Sequence, residues 1–150
     1  MKSQVTGRSL DVLLVDDSPG DMRLIVEALK DGRTQVRLHI ARDGLDAIAF
    51  LRRRGKHVDA PRPNLVLLDL HMPRMDGLQV LAEIKEDMEL KHIPVVILSG
   101  SEDAESIVKT YNLHANCYVT KPVDLAQFTA VVRFIGDFWL TAATLPMEER

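Results

Sequence analysis

Short apolar runs alternate along the chain with longer segments in which apolar residues recur every three or four positions. Short runs of this kind are typical of buried strands, and the periodic segments are typical of amphipathic helices. The runs are apolar throughout rather than alternating with polar residues, which indicates strands covered on both faces. The predicted strands lie at 12–15, 36–41, 65–68, 94–98 and 117–119.

A helical pattern follows each predicted strand. Ser18 and Pro19 are typical of an N-cap and a first helical position, and Asp43 opens the second helix. Gly32 follows the first helix, and two prolines predict a loop at 56–64. The other helices are predicted at 78–88, at about 103–113 and at 124–141. Strands and helices that alternate in this way predict an α/β domain with a parallel sheet.

Composition narrows the class of protein further. The 150 residues favour one domain, and a hydrophobic content of 46% suffices for its core. A net charge of −3 does not favour nucleic-acid binding, and no apolar run is as long as a membrane span. The single cysteine, Cys117, excludes an internal disulfide and favours a reducing, cytoplasmic location. We expect a flexible N-terminus at 1–9, one domain at 10–142 and a C-terminal tail at 143–150.

Polar or reactive groups follow four of the five predicted strands, namely Asp16-Asp17, Asp69, Ser99 and Lys121. The carboxyl ends of parallel strands meet at one edge of a sheet, where the functional crevice of such folds lies. Three carboxylates at one point repel one another, and a divalent cation relieves that repulsion. Because such cations prefer carboxylate, carbonyl and water oxygens, the pattern predicts a site for Mg²⁺ or Mn²⁺.

The same groups suit phosphoryl transfer, which depends mainly on positioning and charge neutralisation. A carboxylate such as Asp69 can attack phosphorus and form an aspartyl phosphate. Lys121 supplies a mobile ammonium, the Ser99 hydroxyl can donate to a phosphate oxygen, and Gly100 leaves space for the phosphate.

Taken singly, each of these groups has an ordinary structural explanation. An Asp pair after a strand is often a helix cap, a serine is usually a loop hydroxyl, and a lysine is usually solvated. The cations at 52–54 are explained by their favourable interaction with the end of a helix. Because every reactive group follows a strand, their joint placement favours a functional site.

Four segments resemble the receiver domain of response regulators: VDDS at 15–18, LDLHMPRMDG at 68–77, LSGS at 98–101 and YVTKP at 118–122. The resemblance extends from about Leu10 to Trp139, with all motifs in order. It implies a doubly wound, flavodoxin-like sheet with the strand order 2-1-3-4-5. It also implies a two-component signalling protein that accepts a phosphoryl group from a sensor histidine kinase and that is not otherwise an enzyme.

The resemblance gives the acidic residues specific roles. Asp69 matches the phosphoacceptor. Asp16 and Asp17 match the acidic pair that binds the metal, and Asp17 is expected to be the more direct ligand. The backbone carbonyl of His71 matches a further metal ligand.

The resemblance also assigns the phosphate-binding and switch residues. Ser99 matches the switch hydroxyl, at which threonine is commoner, and Lys121 matches the phosphate-binding lysine. Pro122 is expected to follow a cis peptide bond, because a cis X–Pro bond is unfavourable by only about 0.5–1 kcal/mol. Tyr118 matches the aromatic switch residue, which would turn inward when Ser99 moves toward the phosphate.

Further segments, at 18–29, 116–125 and 138–140, resemble small stand-alone response regulators paired with bacterial and cyanobacterial phytochromes. This resemblance implies a phytochrome-type kinase as the partner and a homodimer. Phe138, Trp139 and Leu140 are consecutive and point in different directions, so one monomer core is not expected to bury all three. We expect them in a symmetric dimer interface, with 145–146 wrapping the partner. The alternative is that Trp139 folds back onto its own domain.

Two other classes of protein use a similar sheet. A phosphatase with an aspartate nucleophile usually needs a second Asp two residues later, where this chain has His71. A flavodoxin-like cofactor binder needs a phosphate-cradling loop after the first strand, where Asp16-Asp17 would repel phosphate. Because the sequence printed here ends at Arg150, we expect no DNA-binding or cyclase domain to carry the output. We therefore expect output by protein contact, or an intermediate role in a phosphorelay.

Overall fold

A computed structural model describes residues 10–30, 35–142 and 144. The predicted flexible N-terminus at 1–9, Gly32 and all of the predicted tail except Thr144 lie outside these residues. The strands are β1 (Leu10–Val15), β2 (Val36–Ala41), β3 (Leu65–Leu68), β4 (Val95–Ser99) and β5 (Cys117–Thr120). The helices are α1 (Pro19–Lys30), α2 (Gly44–Leu51), α3 (Gly77–Glu86), α4 (Ala104–Asn112) and α5 (Leu125–Asp137), followed by a π-helical turn (Phe138–Ala142).

The strands form one parallel sheet in the order β2-β1-β3-β4-β5, as predicted. Val15 at the end of β1 pairs with Leu68 at the end of β3. Leu68 in turn pairs with Ile97, and Ser99 pairs with Thr120 at the end of β5. Because these registers are aligned, the residues that follow β1, β3, β4 and β5 emerge at one edge of the sheet.

Two aliphatic cores lie on the two faces of the sheet. Successive strand residues point to opposite faces. Leu13 and the strand residues on the same face as Leu13 therefore pack against α2 and α3. Leu14 and the strand residues on the opposite face pack against α1 and α5. The three central strands, β1, β3 and β4, are buried along their whole length. Helices on both faces explain why, apart from Asp11 in β1 and Ser99 at the end of β4, these strands are apolar.

The edge strands differ from the prediction of strands that are apolar throughout. Arg37 and His39 lie in β2, where only Ala41 is buried, and no residue of β5 is buried. The reason is topological, since β2 and β5 lie at the two edges of the sheet and have a neighbouring strand on one side only.

Local caps set most helix boundaries. Four aspartates accept a hydrogen bond from a backbone N–H of the helix that follows, namely Asp43, Asp76, Asp103 and Asp124. The predicted extension of α3 to Met88 is wrong. The helix ends at Glu86 because the backbone of Asp87 is extended, and Met88 is 77% exposed. None of the helices in the described ranges has the length and apolar character needed to cross a membrane.

Candidate functional site

Three carboxylates meet at the edge of the sheet where the strands end. Asp16 follows β1, Asp17 lies beside it, and Asp69 follows β3. One oxygen from each carboxylate lies within 4.8 Å of an oxygen from each of the other two. Asp16 and Asp69 are buried, and Asp17 is exposed. The structure thus brings together the three carboxylates that the sequence predicted to converge.

Backbone hydrogen bonds fix the two buried carboxylates. The amide of Asp69 donates to the Val15 carbonyl at 2.9 Å, which continues the sheet by one residue. The amide of Asp16 donates to the Ala41 carbonyl at 3.1 Å. The Asp16 carboxylate also accepts from the amide of Ser18 at 2.8 Å, so the start of α1 orients it.

The ammonium of Lys121 lies among the carboxylates. Its Nζ is 2.9 Å from Asp16 Oδ2, 2.9 Å from Asp21 Oδ2 and 3.6 Å from Asp69 Oδ2. The Lys121 side chain is 9% exposed, so water and salt screen these interactions little. The backbone amide of Lys121 donates to the Ser99 carbonyl at 2.7 Å, so the pairing of β4 with β5 positions the lysine.

Burial raises the pKa of Asp69 above its usual range; the charge of Lys121 opposes this shift, and the charge of Asp16 adds to it. Burial alone would lower the pKa of Lys121. Its hydrogen bonds to Asp16 and Asp21 outweigh that effect, so the pKa of Lys121 lies above its usual value. The site therefore holds more negative charge than Lys121 neutralises.

The donor set fits a hard divalent cation. The three carboxylates offer oxygen ligands, which Mg²⁺ and Mn²⁺ prefer. Because Asp17 is exposed, the cluster is open to solvent, from which Mg²⁺ usually keeps several water ligands. His71, whose carbonyl is a predicted ligand, lies on the exposed loop between Asp69 and α3.

Ser99 and Tyr118 are joined through Ser101. Ser99 is fully buried, and its hydroxyl oxygen accepts from the Ser101 amide at 3.3 Å. The Tyr118 hydroxyl donates to the Ser101 carbonyl at 2.7 Å, and its backbone amide donates to the Tyr111 hydroxyl at 3.1 Å. Gly100 is exposed, and a Cβ added there would meet no atom within 4 Å, so the space at this position does not depend on glycine.

Comparison with known proteins identifies the family. The model of the response regulator receiver domain matches residues 12–133. This chain belongs to the response-regulator receiver family. It is 48% identical over 135 residues to Response regulator Rcp1 of Synechocystis sp., an alignment that covers 90% of this chain and 92% of Rcp1.

Solved receiver structures agree with this result. The phosphorylated cyanobacterial phytochrome response regulator RcpA superimposes with a TM-score of 0.91 at 46% identity, over 93% of this chain and 100% of RcpA. The Mn²⁺-bound form of Rcp1 superimposes with a TM-score of 0.90 at 47% identity, over 92% and 99% of the two chains. The receiver fold and a part in two-component signalling are therefore properties of this chain.

Asp21 is a residue of the receiver site that sequence reasoning did not assign. It lies in the first turn of α1, where its amide donates to the Ser18 hydroxyl at 3.3 Å. Its carboxylate binds the ammonium of Lys121, which is 100 positions away along the chain. The Ser18-Pro19 signal predicts the start of α1, but only the tertiary structure brings Asp21 to the lysine that follows β5.

Gly77 is a second residue whose role sequence reasoning did not identify. A Cβ at this position would lie 2.2 Å from the carbonyl oxygen of Asp69 and 2.6 Å from the Cα of Leu70. The Gly77 amide also donates to the Leu70 carbonyl at 2.8 Å. The first residue of α3 therefore packs directly on the backbone of Asp69. The Asp76-Gly77 pair at the helix start was the available signal.

The predicted cis bond before Pro122 is wrong. All peptide bonds between described residues are trans, including the bond from Lys121 to Pro122. The trans form is the more stable state of an X–Pro bond. In that form the Lys121 amide already reaches the Ser99 carbonyl and its ammonium already reaches Asp16, so the turn does not require a cis bond.

The three residues predicted to form a dimer interface have different environments. Leu140 is 8% exposed and belongs to the core beneath α1 and α5, and Trp139 packs partly buried against the same core. Phe138 is 47% exposed, and its ring contacts the Trp139 ring edge-to-face at a centroid distance of 5.5 Å. One core does not bury all three, as expected. Leu140 as an interface residue is a misassignment, because it packs within its own chain. Residues 145–146, expected to wrap a partner, lie outside the described residues.

Proposed function

We propose that Asp69 accepts a phosphoryl group from a sensor histidine kinase and that the phosphorylated receiver changes its protein contacts. The observation that carries this proposal is the nearly complete burial of the Asp69 carboxylate beside Asp16, Asp17 and Lys121. The covalent chemistry of the chain is then limited to gaining the phosphoryl group and losing it to water.

In the transfer step an Asp69 oxygen attacks phosphorus while the bond from phosphorus to the phosphohistidine nitrogen breaks. The electron pair of that bond stays on the imidazole, and Asp69 becomes an acyl phosphate. In the dephosphorylation step, water attacks phosphorus and the bond from phosphorus to the carboxylate oxygen breaks. Inorganic phosphate is released and the Asp69 carboxylate is restored.

The metal is part of this proposal. Asp16, Asp17 and Asp69 bind Mg²⁺ or Mn²⁺, with the backbone carbonyl of His71 as a further ligand. A bound cation supplies positive charge that stabilises the transferring phosphoryl group. The proposal is supported by the spacing of the three carboxylates and by the existence of an Mn²⁺-bound form of the similar protein Rcp1.

Ser99, Lys121 and the backbone at Gly100 bind the phosphoryl oxygens, and Tyr118 changes its orientation when the Ser99 hydroxyl moves. The Ser101 bridge between Ser99 and Tyr118 supports this coupling. A phosphoryl group shifts such an equilibrium only by its different affinity for the two states. We expect Ser99→Ala to accept phosphate with a smaller change in hydrogen exchange across α4 and β5. A change equal to that of the parent would exclude Ser99 as the switch.

The acceptor assignment is tested by intact-mass spectrometry after incubation with acetyl phosphate or phosphoramidate and Mg²⁺. The parent protein should gain one phosphoryl group, and Asp69→Asn should gain none. Asp124→Asn is a suitable control, since Asp124 caps α5 and contributes nothing to the carboxylate cluster. Stoichiometric labelling of Asp69→Asn at the parent rate would refute the assignment.

The proposed kinase partner is of the phytochrome type. This choice is supported by the similarity to Rcp1 and by the description of RcpA as a phytochrome response regulator. We expect a phosphorylated phytochrome-type kinase to label Asp69 at least tenfold faster than an unrelated histidine kinase at equal concentration, a difference of about 1.4 kcal/mol in activation free energy. Equal labelling rates would contradict the choice of a phytochrome-type kinase.

The cytoplasmic location expected from the single cysteine stays a prediction.

A homodimer through α5 is the proposed assembly, with coupling to phosphorylation that acts in both directions. Its support is the exposed apolar surface of Phe134 and Phe138, which are 70% and 47% exposed, with Trp139 beside them. Phe138→Ala and Trp139→Ala should weaken self-association in sedimentation experiments. Met88→Ala, at a 77% exposed apolar position after α3, should not, because α3 packs on the opposite face of the sheet from α5. A parent that stays monomeric with and without a phosphoryl mimic would exclude the dimer.

A further inference from the structure

Lys121 has two carboxylate partners that are closer than Asp69. Its Nζ lies 2.9 Å from both Asp16 and Asp21 but 3.6 Å from Asp69. An ammonium has three protons to donate, and two of them are used by the nearer carboxylates. The nearest carboxylates therefore hold the lysine at a distance from the proposed phosphoacceptor that is longer than an ordinary hydrogen bond.

Of these two partners, Asp21 is the one that lies outside the cluster of candidate metal ligands. Within the described ranges that cluster consists of Asp16, Asp17 and Asp69. Asp21 instead belongs to the first turn of α1, and its side chain is 33% exposed. Replacing it therefore removes one partner of Lys121 and leaves every donor of the carboxylate cluster in place.

We propose that Asp21 is a positioning residue that holds the Lys121 ammonium back from Asp69 and so lowers the affinity of the site for a phosphoryl group. This inference rests on the proposed function of Asp69. A phosphoryl group on Asp69 and the Asp21 carboxylate compete for the same ammonium. The stronger the ion pair between Lys121 and Asp21, the less a phosphoryl group gains from the lysine.

Two features make the ion pair an effective competitor. The Lys121 side chain is 9% exposed, so solvent weakens the attraction only partly. Asp21 is also fixed by its helix, because its amide donates to the Ser18 hydroxyl and the next amide, of Met22, donates to the Ser18 carbonyl. The backbone of Asp21 therefore stays near the lysine, and pairing has to order only the short side chain of the aspartate.

The test is calorimetric titration with beryllofluoride, a non-hydrolysable phosphoryl mimic, at a fixed saturating concentration of Mg²⁺. Asp21→Asn, and Asp21→Ala as a second neutral variant, should bind roughly threefold to tenfold more tightly than the parent. Asp21→Glu keeps the charge and should restore parent-like affinity. Glu27→Gln, on an exposed position of the same helix, removes an equal charge without contact to Lys121 and should leave the affinity unchanged.

A double-mutant cycle separates positioning from simple charge repulsion. We expect the Lys121→Gln background to bind more weakly, so it is followed at higher ligand concentration, and Asp21→Asn should have no effect in it. The inference is overturned if Asp21→Asn alone does not tighten binding, or if it tightens binding equally when Lys121 is absent. Asp69→Asn should not bind at all; if it binds like the parent, the proposed acceptor is wrong, which is a separate result from any outcome at Asp21.

Discussion

Asp11 lies within β1, and Asp16 follows that strand directly. Both aspartates are buried, but they differ in how many positively charged or donor groups surround them. Asp11 is 7% exposed, and Asp16 is 1% exposed. Asp11 accepts two hydrogen bonds from the guanidinium of Arg37, at 3.0 and 2.9 Å, and contacts a ring nitrogen of His39 at 2.9 Å. Asp16 shares the single ammonium of Lys121 with two other carboxylates.

The pKa shifts of the two regions follow this difference. Burial alone would raise the pKa of Asp11, but the hydrogen bonds and charges of Arg37 and His39 outweigh burial, and the pKa is lowered. In the Asp16 region burial dominates instead, and the pKa of Asp69 is raised. A buried carboxylate with sufficient partners stabilises the fold, whereas a cluster with too few partners retains the capacity to bind a cation or a phosphoryl group.

The largest difference between the surroundings of Asp11 and the carboxylate cluster is expected in the rate of phosphorylation. We expect Asp17→Ala, or excess chelator, to slow labelling by roughly 100-fold, because the phosphoryl group would add charge to an already repulsive cluster. Asp11→Asn should be labelled at the parent rate. Intact-mass time courses with acetyl phosphate measure both, and labelling that survives excess chelator would remove the proposed role of the metal.

The free energy of unfolding should change with opposite sign in the two regions. Asp11→Asn removes a well-paired carboxylate, and we expect it to destabilise the protein by about 1–3 kcal/mol. Asp69→Asn removes a poorly compensated buried charge and should stabilise the metal-free protein by about 1 kcal/mol. Urea unfolding of the two variants without divalent cation tests this contrast, which fails if both changes have the same sign.

The pH dependence of stability should also differ between the two carboxylates. The folded pKa of Asp11 is lowered, so its stabilisation is present above the unfolded value of about 3.9 and is lost as the pH falls through the folded pKa. The difference between the parent and Asp11→Asn should therefore shrink in acid. For Asp69, whose folded pKa is raised, the advantage of Asp69→Asn should instead grow as the pH rises above about 4. Unfolding curves recorded across this pH range without metal measure both trends.

The smallest effect is expected for Arg37. Its side chain is 61% exposed, so solvent screens the ion pair with Asp11, and Arg37→Gln should destabilise the protein much less than Asp11→Asn does. Because screening by salt weakens such a pair, the difference from the parent should largely disappear at about 0.5 M salt. A loss as large as that of Asp11→Asn would mean that Arg37 alone compensates the buried charge, without His39.

Most strands and helix starts could be predicted from the local order of apolar and polar residues along the chain. The three central strands are buried on both faces, so they contain the uninterrupted apolar runs 12–15, 65–68 and 95–98, and a polar residue follows each run. The start of β1 was not predicted, because the buried polar residue Asp11 interrupts its apolar pattern. The caps Asp43 and Asp124 were equally local signals, since each accepts a hydrogen bond from an amide three residues ahead. Met88 was misassigned because the end of α3 depends on the extended backbone of Asp87, which carries no clear sequence signal.

The sequence by itself determined which chemical groups stand at the ends of the strands. Because the register of a parallel sheet is set by its buried apolar residues, the order Asp16, Asp69, Ser99 and Lys121 along the chain was enough to predict that these residues meet. The family resemblance added the roles, and the comparisons supplied the family.

Tertiary structure alone decided which partners these groups acquired. Asp21 reaches Lys121, Ser101 joins Ser99 to Tyr118, and Gly77 packs on the backbone of Asp69. The contact of Asp21 with Lys121 and that of Ser101 with Tyr118 join residues 100 and 17 positions apart, so no local pattern encodes them. The placement of Leu140 in the core was decided in the same way, by packing against α1 and α5 rather than by the apolar run to which it belongs.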